Sequence, residues 1–103
     1  MANSFVTNLY PRPTPNMNGE SLSVPDSVVS FSTTYNKLTR YVALDVQDAD
    51  VYVTFDGSDP SSTNGHKLYA GQAYTWSKDA ARVAKFIRAA GVTATIYASE
   101  FTD

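Results

Sequence analysis

From residue 27 onward, apolar and polar positions alternate with a period of two, and clusters of turn-forming residues interrupt the alternation roughly every 8 to 12 residues. Val28, Val29 and Phe31 form a first short apolar run, ending in the polar link Ser32-Thr33-Thr34-Tyr35-Asn36. Arg40–Val46 places Val42, Leu44 and Val46 on one face, with Tyr41, Ala43 and Asp45 on the other. After the link Gln47-Asp48-Ala49-Asp50, Val51, Val53 and Phe55 alternate with Tyr52 and Thr54. So short a link predicts that the two runs pair as a hairpin. Further short strands are predicted at Lys67–Tyr69 and Ala73–Trp76. These five short runs already define a mainly all-β chain, and about seven strands in one small domain would suit a β-sandwich.

Ser77–Ala90 is the ambiguous segment. By local rules it is a helix: Ser77 is a good N-cap, Asp79 suits the first turn, Gly91 suits the C-terminal cap, and Ala80, Val83, Ala84 and Ile87 would form the buried stripe. Residues 1–26 differ from the rest. Pro11, Pro13 and Pro15 favour an extended, polyproline-like course and exclude a central strand. The same stretch carries Phe5, Leu9, Tyr10 and Met17, more apolar residues than a solvated tail needs. It is either a strand and loop packed on its own domain or an arm that docks on a neighbouring subunit. The expected division is an extended arm over 1–26 and a β-sandwich over 27–103.

Composition narrows the function. The chain has 103 residues, room for one core, with 43% hydrophobic and only 17% charged residues. A net charge of −2 removes the electrostatic footprint of a nucleic-acid binder. With no cysteine there is neither a disulfide framework nor a cysteine-based zinc site. The first residues lack the pattern of a signal peptide, and no apolar run is long enough to cross a bilayer, so the expectation is a chain made and kept in a cytoplasm. A core this small is marginal alone, which makes burial against a neighbour an attractive source of stability.

Candidate chemistry is sparse. His66 is the only histidine, and Ser58, Asp59 and His66 lie close in sequence without a nucleophile-elbow motif. Their simplest reading is structural, with His66 bonding the corner backbone or packing beside Tyr69. In Asp56-Gly57-Ser58-Asp59-Pro60, the glycine admits positive φ, the acidic and hydroxyl side chains cap backbone N–H groups, and the proline stops the ladder. Asp56, Ser58, Asp59 and Asn64 could offer oxygens to calcium, but the EF-hand spacing is absent and capping explains them without an ion. Asp45, Asp48 and Asp50 read as a solvated turn. Tyr69, Tyr74 and Trp76 fall near one sheet edge, where core packing for Trp76, a partner interface or a sugar platform compete. The expectation is no enzyme, no cofactor and no bound metal.

The corner VTFDGSDPSS resembles that of small immunoglobulin-like modules, such as those appended to chitobiases and other glycoside hydrolases. A longer ordered series resembles small virion proteins of tailed bacteriophages encoded among head and neck genes. Its members here are Asp56–Pro60, Gly65-His66-Lys67-Leu68, Trp76-Ser77, Phe86-Ile87-Arg88 and Ser99-Glu100-Phe101, so that it covers roughly residues 40 to 101. The resemblance implies an Ig-like sandwich with one short helix or helical turn near 77–82, then a strand through Phe86-Ile87-Arg88 that forms a hairpin with Ala94–Phe101. It implies a non-enzymatic virion protein assembled in the host cytoplasm, most simply a head decoration (cement) protein. Its partners would be the major capsid protein or other virion proteins, in many copies or as a homo-oligomer, with no nucleic acid and no membrane. Expected contacts are Phe5, Leu9, Tyr10 and Met17 of the arm, then His66 and Tyr69. The alternatives are a neck or tail component, or a carbohydrate-binding or spacer Ig-like module.

Overall fold

The computed structural model of the protein describes residues 12–13, 19–32, 34–35 and 37–102. Among them are eight strands and one helix: β1 (Arg12–Pro13), β2 (Glu20–Val24), β3 (Tyr41–Gln47), β4 (Val51–Thr54), β5 (His66–Leu68), β6 (Ala73–Ser77), α1 (Lys78–Val83), β7 (Lys85–Arg88) and β8 (Ala94–Thr102). They form a small β-sandwich. The first sheet is built on β8, with β3 then β6 on one side and β2 and β1 on the other. The second runs β5-β4-β7. All pairings are antiparallel.

The period-two pattern places the core. Val42, Leu44 and Val46 of β3 and Ala94, Ile96 and Ala98 of β8 point inward from the first sheet. Val51, Val53 and Phe86 meet them from the second, and Ala81 and Ala84 close one end. Each fully buried Leu, Ile or Phe side chain contributes roughly 1.5–3 kcal/mol. Trp76 stacks on Phe86 (6.1 Å, 8°) and meets Phe55 edge-on at 4.9 Å, while Phe31 approaches Phe86 edge-on at 5.2 Å. Packing between the sheets is therefore the role of Trp76.

Two expected hairpins are replaced by crossings between the sheets. β3 pairs with β8 and β6, not β4, and β4 pairs with β5 and β7. Each of β3 and β4 carries one strongly apolar face. Side by side in one sheet those faces would still need a cover; on opposite sheets they cover each other. Asp48, at φ 74°, makes the corner, with the Ala49 N–H donating to the Gln47 carbonyl (2.9 Å). Likewise β7 does not pair with β8 but with β4, and its other side bonds Val29 in both directions. The expected strand at Val28–Phe31 reduces to that one bridge.

The segment after Ser77 follows the short-helix reading. The Ser77 Oγ accepts from the Ala80 N–H (3.2 Å), α1 ends at Val83, and β7 begins at Lys85. The expected domain boundary at residue 26 falls too late. Glu20–Val24 is laddered to β8 over its whole length, and Val24 is fully buried, because Leu22 and Val24 alternate inward. The backbone of Arg12 and Pro13 also pairs with β8, at the sheet edge where a proline is tolerated.

Candidate functional site

The corner after β4 is held by its own polar groups. Gly57 takes φ 88°, which turns the chain so that the Asp56 Oδ1 accepts from both the Ser58 N–H (3.1 Å) and the Ser58 hydroxyl (2.5 Å). Those bonds, the hydroxyl's first, hold the Asp56 carboxyl below its ordinary pKa. The Asn64 Nδ2 donates to Ser58 Oγ (2.9 Å) and to the Asp59 carbonyl (2.8 Å), and the Thr54 hydroxyl donates to the Ser58 carbonyl. From β7, the Lys85 Nζ reaches the Gly57 carbonyl (2.8 Å) and lies 3.6 Å from an Asp59 oxygen. Pro60 is buried. The capping reading of the corner is what the geometry shows.

Gly65 is the tighter glycine, a role the sequence reading did not assign to it. It sits at φ 114°, and a Cβ there would stand 2.4 Å from the Val53 carbonyl oxygen. At Gly57 an added Cβ meets nothing within 4 Å. Gly65 lets the returning chain lie flat on β4 and start β5; its signal was its place directly after the turn Ser61–Asn64.

Ser58, Asp59 and His66 are not assembled as nucleophile, orienter and base. The Ser58 proton goes to Asp56, and the His66 ring lies against Phe55 with centroids 6.1 Å apart. Among the described residues no hydrogen bond joins His66 to Ser58 or Asp59, and no three His, Cys, Asp or Glu side chains gather as a metal site. A shallow depression of about 340 Å³ between Phe55, Asp56, Asn64 and His66 is what the corner presents outward. His66 therefore neither bonds the corner backbone nor packs beside Tyr69. Tyr69 is exposed, its N–H donates to the Tyr74 hydroxyl (3.1 Å), and the Lys67 ammonium stands 5.5 Å above its ring. With Trp76 turned inward, Tyr69, Tyr74 and Trp76 do not form a planar row. Phe5, Leu9, Tyr10 and Met17 lie outside the described residues.

Two of the three acidic residues around the β3–β4 link do structural work. Asp50 accepts from the Ala70 N–H (2.8 Å) and faces Lys67 at 3.7 Å, while Asp48 accepts from the Thr95 hydroxyl (2.9 Å). Asp45 stays exposed on β3.

A second polar cluster escaped the sequence reading. Glu100 follows Ala94, Ile96 and Ala98 on the inward face of β8 and is only 3% exposed. The buried Thr39 hydroxyl donates to it (2.5 Å). Beside it, the Tyr35 hydroxyl is buried without a hydrogen-bond partner among the described residues, and burial, then the charges of Glu20 and Glu100, push its pKa up to about 12. Glu20 accepts from both the N–H and the hydroxyl of Ser32. A carboxylate in phase with three small or branched apolar residues was the available signal. On the neighbouring surface an open cavity of about 650 Å³ is lined by Lys37, Arg40 and Lys78 together with Asp79, the last paired with Arg82 at 3.0 Å.

The fold and the corner thus define a small all-β sandwich module with one self-capped corner. No family model matches the chain, and neither a curated protein nor a solved structure matches it.

Proposed function

We propose that this chain is a non-enzymatic structural protein of a tailed-bacteriophage virion, a head decoration protein that binds the assembled capsid through its N-terminal segment and a sheet edge. The observation that carries the reading is where the motifs of the resemblance fall. Asp56–Pro60 forms the corner, Gly65–Leu68 starts and makes β5, Trp76-Ser77 joins the core to the helix cap, Phe86–Arg88 is β7, and Ser99–Phe101 ends β8 around buried Glu100. Every member sits in a strand of the sandwich or in a turn beside one, and the corner's polar groups are already bonded to each other. Signature residues used this way suit a protein whose task is to hold a shape on a lattice. Many weak copies binding only the assembled lattice would stabilise it by mass action and avidity.

The test mixes the purified protein with capsids expanded without it and follows capsid melting. Saturable binding that raises the melting temperature, and that is lost on removing residues 1–11, is the expected result. Absence of binding moves the protein to a neck or tail position, and a glycan array then tests the carbohydrate-binding alternative.

A further inference from the structure

Three of the sandwich's edges are blunted, and β6 is not. On the outer side of β7, Val29 exchanges backbone bonds with Phe86, and the Arg88 N–H donates to the Pro25 carbonyl (3.0 Å). β5 is three residues long with Lys67 at its centre. The opposite edge of the first sheet is broken into β1, which contains Pro13, and β2, which begins at Glu20 and runs into Pro25. Charges, prolines, short strands and covering segments are the usual protections of an edge. β6, with the sequence Ala73-Tyr74-Thr75-Trp76-Ser77, carries no charge or proline, and among the described residues no segment covers it.

The register shows which groups are left over. The Val46 N–H bonds the Gln72 carbonyl, and the Lys78 N–H bonds the Arg40 carbonyl, so residues 72, 74, 76 and 78 address β3. Residues 73, 75 and 77 must then direct their backbone groups away from the sheet. The Ser77 carbonyl caps α1 as its N-cap residue. Among the described residues nothing bonds the N–H and C=O of Ala73 and Thr75 or the N–H of Ser77 on that side. The outward side chains at these positions, Ala73, Thr75 and Ser77, are small and exposed.

We propose that β6 is a self-association edge, on which a second copy of this chain pairs antiparallel, β6 against β6, about a two-fold axis at Thr75. Four of the five leftover groups on each copy are self-complementary in that register. Thr75 exchanges N–H and C=O with Thr75 of the second copy, and the Ser77 N–H of each copy meets the Ala73 carbonyl of the other. Charge selects the antiparallel sense. The Ala73 end of β6 lies beside Asp45, whereas the Ser77 end lies beside Arg40, Lys78 and Lys37, with Asp79 there already paired to Arg82. Antiparallel pairing sets the acidic end of one copy against the basic end of the other, and parallel pairing sets like against like. A closed two-fold contact of this kind also ends growth at a dimer.

The inference does not rest on the capsid reading, since it concerns the protein alone. Sedimentation velocity of the full chain, up to about 1 mM because an edge contact buries little area, should show a monomer–dimer equilibrium. Thr75→Lys, which brings two like charges together at the axis, should raise the dimer dissociation constant about tenfold or more, with an unchanged melting temperature. Thr75→Cys is the register test, and the chain has no other cysteine. A hydrogen-bonded antiparallel pair stands about 5.5 Å apart at Cα, within disulfide reach, so mild oxidation should give a cross-linked dimer, whereas Thr95→Cys, on β8, should not. A chain that stays monomeric throughout, or a dimer indifferent to Thr75→Lys that fails to cross-link at 75, overturns the proposal. Capsid binding is read separately and can fail without touching this result.

Discussion

The corner at Asp56–Asn64 and the cluster around Glu100 house polar groups in opposite ways. The corner is exposed, and most of its bonds join residues two to six apart in sequence. The Glu100 cluster is buried, and its defining bond joins residues 61 apart. In the corner a lost bond is replaced by water, so each is worth little. Around Glu100 a lost partner leaves a buried group unsatisfied, which is the costlier event. The segment that most resembles a signature thus fixes local shape, and the inconspicuous glutamate ties the last strand to the segment before β3.

The largest effect expected is nonetheless at the corner's exit. Gly65→Ala should destabilise by about 3 kcal/mol or more, because the Cβ meets a backbone carbonyl at a positive φ; a denaturant melt checks it. Glu100→Ala should cost about 1–3 kcal/mol by stranding the Thr39 hydroxyl. Combining it with Thr39→Val should cost less than the sum, and an additive pair would break the comparison. Gly57→Ala, with open space and only φ against it, should cost about 1 kcal/mol.

Smaller effects sharpen the contrast through pH. The Tyr35 pKa is raised, so the folded state favours the neutral phenol. Its contribution is present below the ordinary value of 10.0 and is lost as pH rises towards about 12. Tyr35→Phe should flatten that alkaline loss and, by removing a buried hydroxyl with no partner among the described residues, raise neutral stability by about 1 kcal/mol. The Asp56 pKa is lowered, so its contribution is present above the ordinary carboxylate range and is lost as pH falls through the lowered value. Ser58→Ala should move the Asp56 titration back up, as carbon NMR would report, without measurable change in melting.

Strand positions and faces were largely legible, because period-two alternation records burial directly: Val42, Leu44, Val46, Val51 and Val53 are all buried as the pattern requires. Partners were not. Gln47–Asp50 has the length of a hairpin turn, and nothing local separates it from a corner between sheets; the apolar faces of β3 and β4 decide the matter only once both sheets exist. The corner was legible because turn chemistry is local, whereas Gly65 and Glu100 act on groups distant along the chain. Glu20–Val24 was obscured by the prolines before it, although Leu22 and Val24 already kept the alternation.

The two missing hairpins leave their mark on how the chain must fold. Among the described residues, β4 with β5 is the only ladder between strands that are neighbours along the chain. The corner lies in the link between them, so it is the natural place for early structure. Every other ladder waits for distant segments to meet, and topologies of that kind fold in milliseconds to seconds rather than microseconds. β8, the central strand of the first sheet, is also the last of the described strands to leave a ribosome. Until it does, β2 has no partner among the described strands and β3 lacks one of its two, so on a growing chain the first sheet can close only after β8 has emerged.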